Sequence, residues 1–565
     1  MPPKRVASLE GGRINLGALR EDGRAELLDI LEALPGRKCL VLEGQIGALL
    51  NHVLPEGSKL LKEMGVSFFR ELRGELGDFL DQEGRPNDPD HIIYLVRPSI
   101  PHMKLIADQI NARTKAGAPY DFRYQASVYL VPYRTLICEQ VLKEERVMRK
   151  VDMGEYPLDL IALDKDLLSL ELDRLFRQVH LEADTGGLTV VARSLQKLQT
   201  VYGTIPNVRA KGVAARAVLQ KAMAMRKEEW DDADAQSAVD PQIDTLVLLD
   251  RWEVDLATAL VTPLTYEGLI DELMGIQNGC VRLDADIVEA SSVEGGGEGG
   301  EGGGSGGGGG QTGGQGAEGG GGGGGGGERD QGGDGGEKRQ VPVPLNSDDP
   351  LFAMVRDLNV EQLGPFLQEK AKEIRQSYSK FRSNRDQSIT EIHDFVKKIP
   401  GLTQDYKSLN QHINIAELVK RTTGSSAFRQ RWQTERSMLE GDTCYDAMEE
   451  QMSMQEPPLQ VLRLLCLQSV TGGGIRTNKY DFLKRELVQT YGYEYLFALT
   501  NLEKLGLLRK KDKSYSPGGW VGVGVGVGVG GDSSSPWAAL RRSLRLINDT
   551  VAVHKPDDIA YVSSG

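Results

Sequence analysis

Three residues in one short segment have types and spacing that could bind an anion. Asp250, Arg251 and Asp255 follow directly after the apolar run 245–249. The carboxyl end of a strand is where open α/β sheets place their ligands, and arginine is a common partner of phosphates and carboxylates. An arginine that is paired with carboxylates, however, has few donors left for a ligand. We therefore interpret these charges as pairing with each other in a structural clamp at the strand's exit.

Other patterns in the sequence resemble catalytic or metal-binding motifs, but their neighbouring residues or their spacing exclude such sites. A G-x-S-x-G pattern occurs at 303–307, but glycine surrounds it, whereas a nucleophile elbow needs a strand before it and a helix after it. The seven histidines show no metal-binding spacing, and the five scattered cysteines form no Cys-x-x-Cys pair, which indicates reduced thiols. We predict no catalytic residue, no cofactor and no metal, and therefore a protein that is not an enzyme.

Composition limits the partners that the chain can have. The 565 residues, enough for three or four domains, carry a formal net charge of −14, and such an acidic balance argues against nucleic-acid binding. The first residues contain no apolar signal-peptide core, and no run of about 18 apolar residues could span a bilayer. We expect a cytoplasmic protein that reaches membranes only through its partners.

The first 251 residues alternate between strand and helix periodicity, which is typical of α/β domains with a parallel sheet. The run 245–249 predicts a strand that is buried on both faces. We place one α/β domain at 1–135 and the first part of a second at 136–251. The predicted elements of these two domains are helices at 20–34, 46–64, 101–112 and 192–202 and strands at 38–42, 91–96, 127–131 and 245–249.

The remainder predicts a large, mainly helical third domain at 252–530. A glycine-rich insert at 293–336 interrupts it, and we interpret the insert as a flexible tether because glycine offers no side chain to bury. A Val-Gly repeat at 521–530 carries no packing information. The predicted helices are 360–383, 389–398 (ended by Pro400 and Gly401), 413–421, 427–439, 457–470, 478–505 and 539–548.

The helical pair at 345–400 is the segment whose pattern of apolar and charged residues points most directly to a function. One interpretation is an amphipathic pair packed on its own domain. The other is an exposed hairpin that accepts a partner's helix, because one face carries many charges of both signs. A second candidate surface contains three nearby tyrosines, which suit either an interface or a core, namely Tyr491, Tyr493 and Tyr495.

The string TYEGLIDE at 265–272, together with the LLDR run that ends at Arg251, resembles the Sec/Munc (SM) family of SNARE-binding proteins, and most of all its vacuolar-sorting branch. One departure is Thr258-Ala259-Leu260, where the family has Thr-Pro-Leu. In the family this region looks architectural rather than catalytic. The resemblance makes the following residues a structural motif: Asp250, Arg251, Asp255, Tyr266, Glu267 and Gly268.

This resemblance implies an SM-type arch of two parallel-sheet α/β domains and a large helical domain. It implies that the 345–400 hairpin holds syntaxin-like and vesicle SNAREs, with contacts from Lys370, Glu373, Arg375, Tyr378 and Arg382. It also implies a vacuolar-sorting-associated protein 16-like tether subunit as partner at the three tyrosines. The resemblance also implies that 531–565 returns to the second domain. The family's string continues beyond 557–562, so we expect the part that completes this domain's sheet to be missing here.

We therefore predict a subunit of a class C tethering complex that regulates SNARE assembly during fusion with endosomes and the vacuole or lysosome. It would be cytoplasmic and peripheral on late endosome and vacuole or lysosome membranes. Two alternatives remain open at this point. One is a structural tether subunit without SNARE contact, and the other is an α/β enzyme that binds a nucleotide or another small ligand.

Overall fold

A computed structural model describes residues 14–54, 57–74, 76, 79, 88–115, 125–231, 240–254, 256–285, 340–383, 389–511 and 537. Within these ranges it does not describe the side chains of 58, 113–115, 228–231, 253–254, 377–383 and 389–400. Its contacts divide the chain into two compact units. The first unit combines Met1–Pro263 with Gly424–Gly565, and the second is Leu264–Thr423. No helix within these described ranges is long and apolar enough to cross a membrane.

The first unit opens with a five-stranded sheet in the order β2-β1-β3-β4-β5, and every neighbouring pair is parallel. Its central strand β3 is buried along its whole length, as expected for a sheet with helices on both faces. Its elements are α1 (Gly17–Glu32), β1 (Lys38–Leu42), α2 (Gly44–Val53), α3 (Gly57–Glu63), β2 (Val66–Glu71), β3 (His91–Val96), α4 (Ile100–Lys115), β4 (Gln125–Leu130), α5 (Leu136–Glu144) and β5 (Val151–Glu155).

This sheet confirms the predicted parallel α/β architecture, and three of its strands lie where the sequence places them. The two edge strands, β2 and β5, were not predicted. Most side chains of β2 are exposed, and β5 contains Asp152 and Gly154, which are residue types that strands disfavour. The predicted helix at 46–64 is two helices, α2 and α3.

The first unit continues through a second α/β portion, in which β8 and β9 pair in parallel. The prediction that β9 is buried on both faces is wrong, because Val247 and Leu249 are 56% and 62% exposed. Only one face packs, with Leu248 lying against the cluster formed by α7 and α8. The elements are β6 (Ile161–Asp164), β7 (Leu167–Ser169), α6 (Leu175–His180), α7 (Gly186–Tyr202), β8 (Asn207–Lys211), α8 (Val213–Asp231), β9 (Thr245–Leu249), α9 (Arg251–Val254) and α10 (Leu256–Ala259).

The second unit combines a small antiparallel sheet, in the order β10-β11-β12, with two long helices that pack on each other. Asp284 pairs with Gln340, so the two strands that flank the segment containing the glycine-rich run lie side by side. The run itself lies outside the described residues. The elements are α11 (Tyr266–Met274), β10 (Ile276–Gln277), β11 (Cys280–Asp284), β12 (Gln340–Pro344), α12 (Pro350–Val355), α13 (Val360–Ser383) and α14 (Ile389–Thr423).

The long helix α13 has the bounds that the sequence predicts, but α14 does not end at Pro400. An internal proline removes one backbone hydrogen bond and costs about 3 kcal/mol. Four side chains beyond it, at spacings of three and four, offset this cost by being buried at 0 to 2% exposure: Leu409, His412, Ile415 and Val419. The predicted helix at 413–421 is therefore the end of the same helix.

The rest of the first unit is mainly helical, and α17 lies at its centre, since ten of the fourteen residues of α17 are buried. The predicted helix at 478–505 is two helices, because Gly492 adopts a φ of +111° between them. The helix α16 was not predicted, and the predicted helix at 539–548 lies outside the described residues. The elements are α15 (Ser426–Glu440), α16 (Tyr445–Ser453), α17 (Pro458–Thr471), β13 (Ile475–Arg476), α18 (Thr477–Tyr491), α19 (Tyr495–Leu505) and β14 (Lys510–Lys511).

Candidate functional site

The amino-terminal half of α13 has one buried edge and one charged, exposed edge. Leu363 and Leu367 are buried, whereas Glu373 and Arg375 are exposed. Lys370 donates to the Glu373 carboxylate at 2.8 Å, and its Nζ lies 5.8 Å from the centroid of the Phe366 ring, on the same helix. The half-buried Lys370 is therefore held in place by its neighbours. The described charges form a polar surface on which another helix could lie.

The other two predicted SNARE contacts, Tyr378 and Arg382, belong to the carboxyl-terminal half of α13. Their side chains lie outside the described residues, as do those of the opposing part of α14 up to position 400. Both residues remain predictions.

A buried chain of hydrogen bonds joins α11, α12 and α14 at the base of this helical pair. The Tyr266 hydroxyl lies 3.0 Å from His412 Nδ1, and His412 Nε2 lies 3.2 Å from Asp349 Oδ2. The Ser408 hydroxyl donates to the same carboxylate oxygen at 2.6 Å. The other carboxylate oxygen caps α12 by accepting from the backbone N–H groups of Leu351 and Phe352. Every polar side-chain atom of Tyr266, His412 and Asp349 therefore has a hydrogen-bond partner.

The arrangement determines the ionisation of Asp349. Burial acts to raise its pKa, but hydrogen bonds from His412 and Ser408 outweigh burial and lower the pKa to about 2. Burial raises the pKa of Tyr266, so its hydroxyl stays protonated. A protonated tyrosine hydroxyl, a buried imidazole and a carboxylate form a stable polar bridge between the three helices.

The neighbouring motif residue, Glu267, fixes α11 to the segment that follows α12. Its carboxylate accepts two hydrogen bonds from Arg356, at 2.8 and 3.3 Å, and its backbone N–H donates to the Arg356 carbonyl. The third motif residue, Gly268, lies in the same helix, half-buried. The TYEG string therefore positions the base of the α13–α14 pair, and a fork-to-fork Arg–carboxylate pair suits this positioning role.

Asp250 does form a clamp at the strand's exit, but with backbone groups rather than with Arg251. Its two carboxylate oxygens accept from the N–H groups of Ala214, in the first turn of α8, and of Trp252. Arg251 instead donates to the Thr258 hydroxyl at 3.4 Å. The expected pairing of Asp250 with Arg251 is wrong because the helix N-terminus offers donors that a buried carboxylate can use fully. Asp255 lies outside the described residues.

Thr262, next to the family motif, anchors its segment to α15. Its N–H and its hydroxyl both donate to the buried Glu435 carboxylate, at 2.7 and 2.8 Å. Burial raises the pKa of Glu435, although these bonds and the charges of Arg463 and Arg431 act in the opposite direction. Sequence reasoning missed Glu435 because a helical carboxylate carries no sign of a distant partner.

The three candidate tyrosines differ in their surroundings. Tyr491 donates to the Glu456 carbonyl at 2.6 Å and lies edge-on to Tyr495, and both rings pack against the helical core. Tyr493 is 76% exposed and lies close in sequence to Phe497, which is 74% exposed. Only Tyr493 therefore faces solvent as an interface residue would, and Phe497 joins it as a residue that sequence reasoning did not single out.

Sequence signals existed for some of the residues that were missed. Asp349 precedes a proline at the first position of α12, which is a typical helix start and marks Asp349 as its cap. His412 and Arg356 gave no comparable signal, because their partners are far away in sequence. Among the described residues, no group of three or more His, Cys, Asp or Glu side chains could hold a metal ion.

Comparison with known proteins agrees with this architecture. The model of the Sec1 family matches residues 38–564 of the chain. The chain belongs to the Sec1 family. Vacuolar protein sorting-associated protein 33A of Rattus norvegicus is 35% identical, over 99% of this chain and 82% of the rat protein. The Arabidopsis thaliana vacuolar protein-sorting-associated protein 33 homolog is 31% identical, over 99% of this chain and 80% of its own length.

Solved structures of the family support the fold class. A chain of the Unc18–syntaxin 1 complex from Monosiga brevicollis aligns with a TM-score of 0.51, covering 95% of this chain and 83% of that chain. Its sequence identity is 16%, so the likeness concerns the fold alone. The predicted combination of parallel-sheet α/β portions with a mainly helical portion is confirmed for this Sec1-family chain.

Proposed function

We propose that this Sec1-family chain regulates SNARE assembly during vesicle docking and fusion, by holding SNARE helices against the α13–α14 pair. The observation that carries the proposal is the combination of an exposed, charged edge on α13 with a rigid base. The base is the Tyr266–His412–Asp349 bridge, which fixes α11, α12 and α14 together. The relatives' name, vacuolar protein sorting, supports a role in transport to the vacuole or lysosome.

The mechanism is templating. Two free helices must lose much conformational and rotational entropy before the first turns of a coiled coil form. A surface that holds both in register removes part of this barrier without making or breaking any bond. Alternating charges such as Lys370, Glu373 and Arg375 favour helices with matching charges and disfavour others.

The partners of this function are syntaxin-like and vesicle SNAREs, together with a tether subunit similar to vacuolar-sorting-associated protein 16 in a class C complex. Exposed Tyr493 and Phe497 support a protein interface in the first unit, because large exposed aromatic side chains are enriched at such sites. Binding through these partners would bring the protein to late endosome and vacuole or lysosome membranes from the cytoplasm.

Pull-down of purified SNARE motifs by the full chain tests the proposal. We expect Arg375→Glu to reduce SNARE capture several-fold, since it reverses an exposed charge on the proposed surface. Arg216→Glu is the matched control, because Arg216 is also an exposed helical arginine but lies on α8, in the first unit. Equal capture by both variants, or no capture above a scrambled helix by the unaltered chain, contradicts the proposal.

A purely structural tether subunit is the second candidate, and the exposed Tyr493 and Phe497 favour it independently of α13. Replacing both by Ser separates the two functions. We expect the double variant to lose tether-subunit binding and to retain SNARE capture. If the unaltered chain binds the tether subunit but no SNARE, the structural function is correct.

A further inference from the structure

Exposed charges in the middle of α13 are separated by sign into two adjacent lines. Residues three and four apart share one face of a helix, so Gln368, Lys372 and Arg375 form one line along α13. Glu369 and Glu373 form the next line, one residue further round the helix. All five side chains are exposed. The first line is named the basic stripe and the second the acidic stripe.

The two stripes lie on either side of the direction in which α13 faces solvent. On the opposite side of the helix, Leu363 and Leu367 are buried, and half-buried Ile374 continues the same side. Successive residues are rotated by about 100°, so the basic stripe forms one flank of the exposed side and the acidic stripe forms the other. A helix that approaches one flank therefore meets charges of one sign.

The charges of both stripes can reach a partner. Within the part of the chain that the structure describes, Lys372 and Arg375 form no ion pair. Glu361 lies on the line of the basic stripe, but it is about 16 Å from Lys372 along the helix, twice the screening length of about 8 Å at physiological salt. Glu373 accepts from Lys370 at 2.8 Å, and its carboxylate has lone pairs for a further donor.

We propose that α13 sorts two SNARE helices by their charge. The basic stripe binds the helix whose facing edge carries carboxylates, and the acidic stripe binds a second helix whose facing edge carries lysine or arginine. Each stripe repels the helix that suits the other stripe, so an exchange of the two helices is disfavoured. This inference rests on the proposed function and adds which kind of helix lies on which side of α13.

Two charge-reversed variants of the full chain test this assignment. Lys372→Glu with Arg375→Glu reverses the basic stripe, and Glu369→Lys with Glu373→Lys reverses the acidic stripe. Binding of a labelled syntaxin-like SNARE motif and of a labelled vesicle SNARE motif is measured separately by fluorescence anisotropy. We expect the first variant to weaken binding of the motif with the more negative net charge about tenfold, and the second variant to weaken binding of the other motif about tenfold.

Compensating changes on the SNARE motif separate a lost charge pair from lost folding. Reversing the carboxylates of the affected motif should restore its binding to the variant with the reversed basic stripe, as expected of a direct charge pair. The difference should shrink to less than about threefold in about 1 M salt, where the screening length is about 3 Å.

The outcomes distinguish the inference from the function on which it rests. If the unaltered chain binds both motifs but the two variants weaken both to the same extent, charge sorting is wrong and SNARE binding stands. The same conclusion follows if the compensating reversal restores no binding. If the unaltered chain binds neither motif, the proposed function is wrong and the inference falls with it.

Discussion

The Tyr266 hydroxyl lies 3.0 Å from His412 Nδ1, and both side chains are at most 1% exposed. This contact joins the first residue of α11 to the middle of α14, across a large separation in sequence. His412 also stacks on Phe352, with ring centroids 5.8 Å apart and planes 15° apart. Tyr266, in the TYEG string at 265–268, is therefore a buried polar anchor of the second unit.

Tyr266→Phe should destabilise the second unit by about 1–3 kcal/mol, because it leaves a buried imidazole nitrogen without its donor. Hydrogen–deuterium exchange in peptides covering 405–423 would measure the loss as faster exchange. Tyr493→Phe is the control, since this hydroxyl is on a ring that is 76% exposed. Unchanged exchange in the Tyr266→Phe variant would show that this hydrogen bond does not contribute to the stability of the second unit.

Asp349 should make the second unit sensitive to acid. Its pKa is about 2 in the folded chain, compared with an ordinary value of 3.8. The folded pKa is depressed, so the stability it contributes is present above pH 3.8 and is lost as the pH falls towards about 2. The contribution is on the order of 2 kcal/mol.

Asp349→Asn is the variant that isolates this effect. We expect the difference in urea midpoint between the unaltered chain and Asp349→Asn to be constant near neutral pH and to shrink below about pH 4. A difference that stays constant down to pH 3 would mean that the carboxylate is not held by His412 and Ser408.

Gly212 lies where any side chain would collide with the clamp residue Asp250. Its φ is +100°, and an added Cβ would lie closer than any normal contact to the Asp250 Cβ, an atom that cannot swing away. Gly212→Ala should therefore destabilise the first unit by about 1–3 kcal/mol. Gly401→Ala is the matched control, because this helical glycine has open space around it and the substitution should stabilise α14 by about 0.5–1 kcal/mol. Thermal unfolding of both variants measures the difference, and equal midpoints contradict the assigned geometry.

Thr262→Val should destabilise the first unit by about 1–3 kcal/mol, because the buried Glu435 carboxylate loses its hydroxyl donor while the shape of the side chain is retained. Thr200→Val is the comparison, since the Thr200 hydroxyl is exposed and bonds only to a carbonyl of its own helix. Chemical unfolding of the two variants would distinguish them. If Thr262→Val is as stable as Thr200→Val, the segment is not anchored through Glu435.

The periodicity of apolar residues correctly predicted helices that bury one continuous face. It failed where contacts with distant parts of the chain determine the length or the burial of an element. The spacing of Leu363, Leu367 and Ile374 gave the bounds of α13 correctly. Pro400 predicted an end to α14, but the buried residues beyond it keep the helix continuous. The apolar run of β9 predicted two buried faces, whereas β8 is its only strand partner in the part of the chain that the structure describes.

The candidate site could likewise be predicted only in part. The string TYEGLIDE indicated the right segment, because its residue types match a family pattern, but its partners could not be inferred. Asp349, His412 and Glu435 act through atoms that are brought together only by the folded chain.

Site-specific photo-crosslinking tests the central claim most directly. A photoreactive amino acid replaces exposed Glu373 on α13, and a second chain carries it at exposed Arg216 on α8. During SNARE assembly, we expect the probe at 373 to crosslink to a SNARE helix and the probe at 216 not to. SNARE crosslinks of equal yield at both positions, or none at 373 while the chain still accelerates SNARE pairing, would contradict the proposal that α13 holds SNARE helices.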